Sequence, residues 1–263
     1  LASNVLLNPV VVKVENEEKV HIKQEFYYID EENKTAFIPA LISSNKAKSI
    51  LIFCNMKIKC DKLADDLYAL GLDVLTLHSD LEQKQRDETI ILFSNKSYPI
   101  LIATDVASRG LHIDDVDLVI NYDLSLDEKI HTHRIGRTAR AGKGGLVISL
   151  YTQNDFDRVE IIKETFSDIE DKSIDSVEDD LSYKIDSELR TIFINGGKKQ
   201  KLRAGDILGA LTAGIGLQKD DIGKIDILDF ASYVAINKEK ISFVLERLSK
   251  EKIKGKYYRI YEK

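Results

Sequence analysis

The chain has 263 residues, 43% of them hydrophobic and 31% charged, with a formal net charge of −6. That length holds one large domain or two ordinary ones around a real core, and the overall charge excludes a uniformly basic nucleic-acid coat. The two cysteines, Cys54 and Cys60, form no C-x-x-C pair, which argues against zinc and points to a reducing compartment.

The opening stretch, LASNVLLNPVVVKVENEE, lacks the basic start and apolar block of a signal peptide. It reads as an extended approach, and without an initial Met the chain is expected to be a piece of something longer. No apolar run reaches membrane-spanning length, so a cytoplasmic protein with no membrane partner is expected. Short β-rich runs then recur: Glu25–Ile29, Ser49–Cys54, Asp73–His78, Pro99–Thr104, Leu118–Tyr122 and Gly145–Tyr151. Most are continuously apolar, as suits strands buried on both faces. Cys54 ends one of these runs and is expected in the core. Helical patterns lie between them, one with Leu63, Leu67 and Leu70 before Gly71, another over DLEQKQRDETIILFSN. Alternating strands and helices over about 150 residues predict βαβ units and a parallel sheet.

From Thr165 to Glu188 the chain becomes acidic and Ser-rich with a weak apolar pattern, the mark of a connector holding at most a short helix or strand. The tail starts afresh with the order β-α-β-β-α-β, a ferredoxin-like arrangement shared by many RNA-recognition domains. Its last 74 residues, from Arg190, hold 16 basic and 9 acidic side chains, a net +7 against −13 for the rest. A basic module on an acidic body suggests a polyanion partner. The expected division is therefore a first domain over 1–164, a connector over 165–187 and a small α+β domain over 188–263.

Two stretches carry the chemistry. LIATDVASRGLHI, Leu101–Ile113, follows a buried strand, so Thr104, Asp105, Ser108, Arg109 and Gly110 fall at the carboxyl edge of the sheet, where open α/β sheets gather ligands. HRIGRTARAGKGG, His133–Gly145, spaces Arg134, Arg137 and Arg140 three apart. That spacing lines one side of a helical turn with like charges, which calls for an anion. Either stretch alone could be a polar or solvated turn; together they can converge on phosphates. His131 and His133 alternate as metal ligands do, but no third ligand is evident and no metal site is expected. His21 and His78 read as structural.

These segments resemble the second RecA-like domain of DEAD-box RNA helicases. SILIFCN resembles that family's fourth motif; Gln83 and Arg86 form its Gln-x-x-Arg element; ATDVASRG resembles the fifth motif and HRIGRTAR the sixth. The resemblance covers most of residues 20–160 in order and spacing. It implies that Arg137 and Arg140 are catalytic arginine fingers for ATP held by another domain. It implies that His133 meets that domain's motifs and that Arg109 locks the closed interface. Asp105, Gly110, His112, Arg134 and Gly136 fall in the same nucleotide and interdomain motifs. Thr104 and Arg86 are implied contacts to the backbone of single-stranded RNA. His112 departs from the family, which usually has Asp there, and this puts nucleotide affinity or coupling in doubt.

The stretch from Thr191 to Glu239 resembles the C-terminal RNA-binding domain of the DbpA subfamily, as does Ala139 in HRIGRTARAG. The resemblance implies recognition of a large-subunit ribosomal RNA hairpin and a role in ribosome assembly. The residues agree in part. Lys198, Lys199, Lys201 and Arg203 cluster after the first strand of the tail, suited to phosphates. Phe193 and Tyr233 lie where RNA-recognition sheets carry stacking rings, with half-buried packing as the alternative. Lys252–Arg259 is a second basic candidate, and the glycines of DILGALTAGIG are expected to allow close helix packing.

No G-x-x-x-x-G-K-[ST] and no Asp-Glu-Ala-Asp occur in the chain. ATP and Mg²⁺ are therefore expected to be held mostly by an N-terminal RecA-like lobe of the same protein, and this chain alone is expected not to hydrolyse ATP. Two other readings stay open: a non-catalytic RNA-binding protein using a degenerate lobe as scaffold, and, more weakly, a DNA helicase.

Overall fold

The computed structural model describes residues 22–108, 113, 115–138 and 144–263. Ile50–Phe53 (β2), Ile100–Ala103 (β4) and Leu118–Asn121 (β5) are buried at every position, as their unbroken apolar runs require. With Ile22–Tyr28 (β1), Val74–Leu77 (β3), Gly145–Tyr151 (β6) and Ile169–Lys172 (β7) they form one parallel sheet. Its order is β3-β4-β2-β5-β6-β1-β7. Helices Lys34–Asn45 (α1), Lys57–Ala69 (α2), Gln83–Ser94 (α3), Asp105–Ser108 (α4), Glu128–Ile135 (α5) and Phe156–Thr165 (α6) flank it. Two large apolar clusters, one around Ile38, Ile52, Leu63 and Ile120, the other around Leu51, Phe53, Leu101 and Val119, fill the space beside the sheet. This is the RecA-like α/β layout expected. Cys54 and Cys60 are free and buried in the first of those clusters.

Residues 165–187 do more than connect. β7 pairs in parallel with β1 and extends the sheet. Beyond it Val177, Tyr183 and Ile185 pack on the main core, and the Tyr183 hydroxyl donates to the Ala47 carbonyl at 2.8 Å. Phe166 and Ile169 pack on a smaller cluster around Phe26 and Val159, while Leu181 stays 87% exposed, and the spacing of these apolar residues gives no clear periodicity.

The tail folds as a four-stranded antiparallel sheet made of Leu189–Ile194 (β8), Ile222–Ile227 (β9), Ser232–Asn237 (β10) and Ile260–Glu262 (β11), in the order β11-β8-β10-β9. Ala204–Gly209 (α7), continued by one π-helical turn to Gly214, and Ile241–Leu248 (α8) cover one face. Ile192, Ile194, Val234, Ile236, Ile207, Val244 and Leu248 fill the core between sheet and helices. The other face meets α3. Ile91 packs against Phe193 and Tyr233, the Asn95 amide donates to Thr191 Oγ1 at 2.8 Å, and Ser97 Oγ lies 2.7 Å from the same oxygen. Glu88 accepts from Tyr233 at 3.2 Å and pairs with Lys263 at 2.5 Å. Among the described residues no helix is long and apolar enough to cross a membrane.

Candidate nucleotide edge and RNA-facing surfaces

The carboxyl ends of β2, β4 and β5 meet around one side chain. Arg134 lies on α5, whose first turn is capped by Asp127 accepting from the Ile130 amide at 2.7 Å. Its Nε and Nη2 donate to the two oxygens of Asp105 at 2.7 and 2.8 Å. Nη1 donates to Asn121 Oδ1 at 3.1 Å and the Asp123 carbonyl at 2.7 Å, and Nη2 also donates to Asn55 Oδ1 at 2.8 Å. All five N–H groups of the guanidinium are used, and its Cζ lies 5.0 Å from the centroid of the Phe53 ring. Arg134 is 1% exposed. The expectation that Arg134 contacts nucleotide or the other domain is therefore corrected: it is a buried tie that fixes α5 to three strand ends. Asp105 is correspondingly engaged on both oxygens.

One helical turn further on, Arg137 is half-buried and lines a shallow depression with Phe53, Asp105, Ser108, Ile130, His133 and Arg134. Its backbone carbonyl accepts from the Val116 amide at 3.3 Å, and Thr138 Oγ1 donates to the Val116 carbonyl at 2.6 Å, sewing the end of the motif to the start of β5. His133 is exposed beside it, and Gly136 closes α5 through its N–H to the Thr132 carbonyl at 3.1 Å. Arg109, Gly110, His112 and Arg140 lie outside the described residues.

Thr104 and Arg86 frame the neighbouring edge. The Thr104 amide donates to the Leu77 carbonyl at 3.1 Å and its carbonyl accepts from Ser108, so it joins β3 to α4; its exposure is only 9%. Arg86, half-buried, donates from Nη2 to the Ala107 carbonyl at 3.0 Å and holds the end of α4.

The two histidines of α5 part company. His131 is fully buried, with Nε2 2.8 Å from Gln24 Oε1 and Nδ1 3.3 Å from Ser125 Oγ. Burial, and secondarily the Arg134 charge, push its pKa down to about 4. Among the described residues no three His, Cys, Asp or Glu side chains are arranged to hold a metal ion. His78 is buried and bonded to Asp61 at 2.9 Å; His21 lies outside the described residues.

In the tail, Lys198, Lys199, Lys201 and Arg203 are all exposed on the loop after β8. The stacking role expected of Phe193 and Tyr233 does not fit their surroundings. They are 7% and 1% exposed, because α3 of the first lobe covers the sheet face that carries them. Burial and the nearby Glu88 carboxylate push the Tyr233 phenol above its ordinary range. Within the second basic candidate, Tyr257 is exposed with Lys252 Nζ 5.4 Å from its ring centroid.

Two family models match this architecture domain by domain: the helicase conserved C-terminal domain over residues 33–142 and the DbpA RNA binding domain over residues 191–262. The chain is 38% identical over 261 residues to the ATP-dependent RNA helicase DbpA of Escherichia coli (strain K12), covering 99% of this chain and 57% of that protein. The chain belongs to the DbpA-type DEAD-box RNA helicases. The DbpA helicase of Bacillus subtilis (strain 168) is 33% identical over 261 residues, covering 91% of this chain and 54% of that protein. Among solved structures, the E. coli DEAD-box protein SrmB bound to regulator of ribonuclease activity A is 31% identical with a TM-score of 0.56, covering 65% of this chain and all of that one. The chain spans a little over half the length of the two DbpA helicases it matches.

Seen as a DbpA-type chain, the sequence motifs divide by what they do. Arg137 and His133 reach the edge of the depression, while Arg134 and Asp105 build the platform beneath them. Of the two asparagine partners of Arg134, Asn55 ends the SILIFCN stretch, while Asn121 carries no sequence signal beyond its place in the Leu118–Tyr122 run.

Proposed function

We propose that this chain is the C-terminal half of an ATP-dependent RNA helicase that remodels ribosomal RNA. Its first lobe closes on an N-terminal RecA-like lobe holding ATP, and its tail selects the RNA. The observation that carries the reading is the Arg134 tie. By binding Asp105, Asn55, Asn121 and the Asp123 carbonyl at once, it fixes α5 so that Arg137 borders the depression at the ligand edge of the sheet.

In the closed state Arg137, with Arg140, stabilises charge developing on the transferring phosphoryl oxygens; a planar, permanently charged fork suits that task. Arg109 and His133 contact the opposing lobe. Arg86 and Thr104 position the RNA backbone beside α4. ATP and its Mg²⁺ belong mostly to the N-terminal lobe in this reading, as the lack of a G-x-x-x-x-G-K-[ST] in this sequence suggests. The RNA proposed is a large-subunit ribosomal hairpin bound by the basic tail, placing the protein in ribosome assembly in the cytoplasm. Support comes from the tail's match to the DbpA RNA binding domain and its net positive charge.

The test supplies an N-terminal RecA-like lobe in trans with ATP, Mg²⁺ and the ribosomal hairpin. RNA-stimulated ATP turnover that needs both halves supports the reading. ATP hydrolysis by this chain alone, or silence of the mixture, contradicts it.

A further inference from the structure

The tail's open sheet face is used up by α3, so an RNA strand needs another surface. The loop after β8 offers one. Gly196 and Gly197 press it against its neighbours: a Cβ at Gly197 would stand 2.2 Å from the Leu228 carbonyl oxygen, and one at Gly196 would stand 2.3 Å from the Tyr258 ring. The amides of Lys198 and Lys199 donate to the carbonyls of Leu228 and Asp229, each at 2.9 Å, and Ser232 Oγ donates to the Gly196 carbonyl at 2.7 Å. The lysine loop is thereby clamped to the turn between β9 and β10. Lys254 Nζ adds a bond to the Lys201 carbonyl at 2.6 Å and pairs with Asp206 at 3.0 Å.

That turn carries Phe230, which is 64% exposed. The ring is exposed on the turn whose Leu228 and Asp229 carbonyls hold the backbone of Lys198 and Lys199, both exposed. It supplies a flat apolar face, and the adjoining lysines supply positive charge.

We propose that Phe230 is the stacking platform of the tail's RNA site, taking one unpaired base while Lys198 and Lys199 hold the flanking phosphates. The inference rests on the reading of this chain as an RNA binder and names the surface that does it. Asp229 beside Phe230 is exposed and disfavours a tract of phosphates running directly over the ring, so the base meets the ring and the backbone lies on the lysine side. The site selects single-stranded or loop nucleotides, because a base inside a duplex cannot reach a ring.

The experiment titrates the full 263-residue chain against a fluorescent RNA hairpin with an unpaired loop, and against its fully paired duplex, at two salt concentrations. Phe230→Ala is expected to weaken hairpin binding about tenfold with an unchanged salt slope. Lys198→Ala/Lys199→Ala is expected to weaken binding and flatten the slope by about 2. Phe230→Tyr keeps a ring and is expected to bind as the wild type does. Wild-type affinity in Phe230→Ala overturns the stacking site while leaving RNA binding intact. No hairpin binding by the wild-type chain overturns both. Equal wild-type affinity for hairpin and duplex overturns the stacking site as well.

Discussion

Arg134 and Asp105 meet through two parallel hydrogen bonds, 2.7 and 2.8 Å long, in a site from which the arginine is almost wholly excluded from water. A planar fork on a carboxylate is a geometry that lysine cannot reproduce. Removing one member of such a buried pair leaves an uncompensated charge and costs about 3–5 kcal/mol. Arg134→Ala is accordingly expected to lower the denaturant midpoint of the first lobe sharply, with Arg134→Lys only partly restoring it. A loss below about 1 kcal/mol in urea unfolding would show that the tie is not the anchor described here.

His131 makes stability pH-dependent. Its pKa falls from the ordinary 6.5 to about 4 in the folded chain, so the unfolded chain binds the proton more readily. The His131 contribution is complete above pH 6.5 and is lost as pH falls from 6.5 towards 4, by up to about 3 kcal/mol. His131→Gln removes the titrating group. The difference in unfolding free energy between wild type and variant is expected to shift in the variant's favour on going from pH 7 to pH 4.5. A constant difference across that range would contradict the burial assigned to His131.

The two domains are joined through Ile91, seated on Phe193 and Tyr233, whose ring centroids lie 5.3 Å apart. Ile91→Asp places a carboxylate against two rings and beside Glu88 and is expected to undock the tail without unfolding it. Amide exchange should then speed up at α3, and Tyr233 should become accessible to nitration. Unchanged protection of Tyr233 would mean that the sheet face is covered by something other than α3.

Gly197 tests the clamp on the lysine loop. Alanine there drives its Cβ into the Leu228 carbonyl and the Ala231 amide, which lie 2.2 and 2.8 Å from the ideal position. Overpacking of this kind costs about 1–3 kcal/mol. Gly197→Ala is expected to destabilise the tail by that amount and to disorder the β9–β10 turn. A variant as stable as the wild type would show that the loop is not held against that turn.

The strands were legible because unbroken apolar runs in β2, β4 and β5 leave no exposed face, and the split order of the tail follows from its alternation of runs. The arginine row was legible as a motif but not as a geometry. Its period of three says that the side chains share a helical side, yet Arg134 turns into Asp105 while Arg137 borders the ligand edge. The direction of Arg134 is set by Asn121 and Asp123, 13 and 11 residues earlier, and by Asn55, 79 residues earlier. Phe193 and Tyr233 show the same limit. Their alternation gives the sheet face correctly, but its cover is Ile91, roughly a hundred residues earlier. β7 hides in an acidic stretch because it is an edge strand only partly buried, so its apolar signal is weak. α1 carries Pro39 inside a helix, where proline in a sequence reads as a stop.

The central claim is that Arg137 acts on the transferring phosphoryl group and not on the binding of ATP or RNA. The most direct measurement is steady-state ATP hydrolysis with the N-terminal lobe supplied and RNA saturating, comparing wild type with Arg137→Ala, alongside separate ATP and RNA affinities. Loss of kcat by about a thousandfold or more, with both affinities within about threefold of wild type, is the predicted result. Turnover by Arg137→Ala equal to wild type, or a loss that lies wholly in ATP or RNA binding, would contradict it.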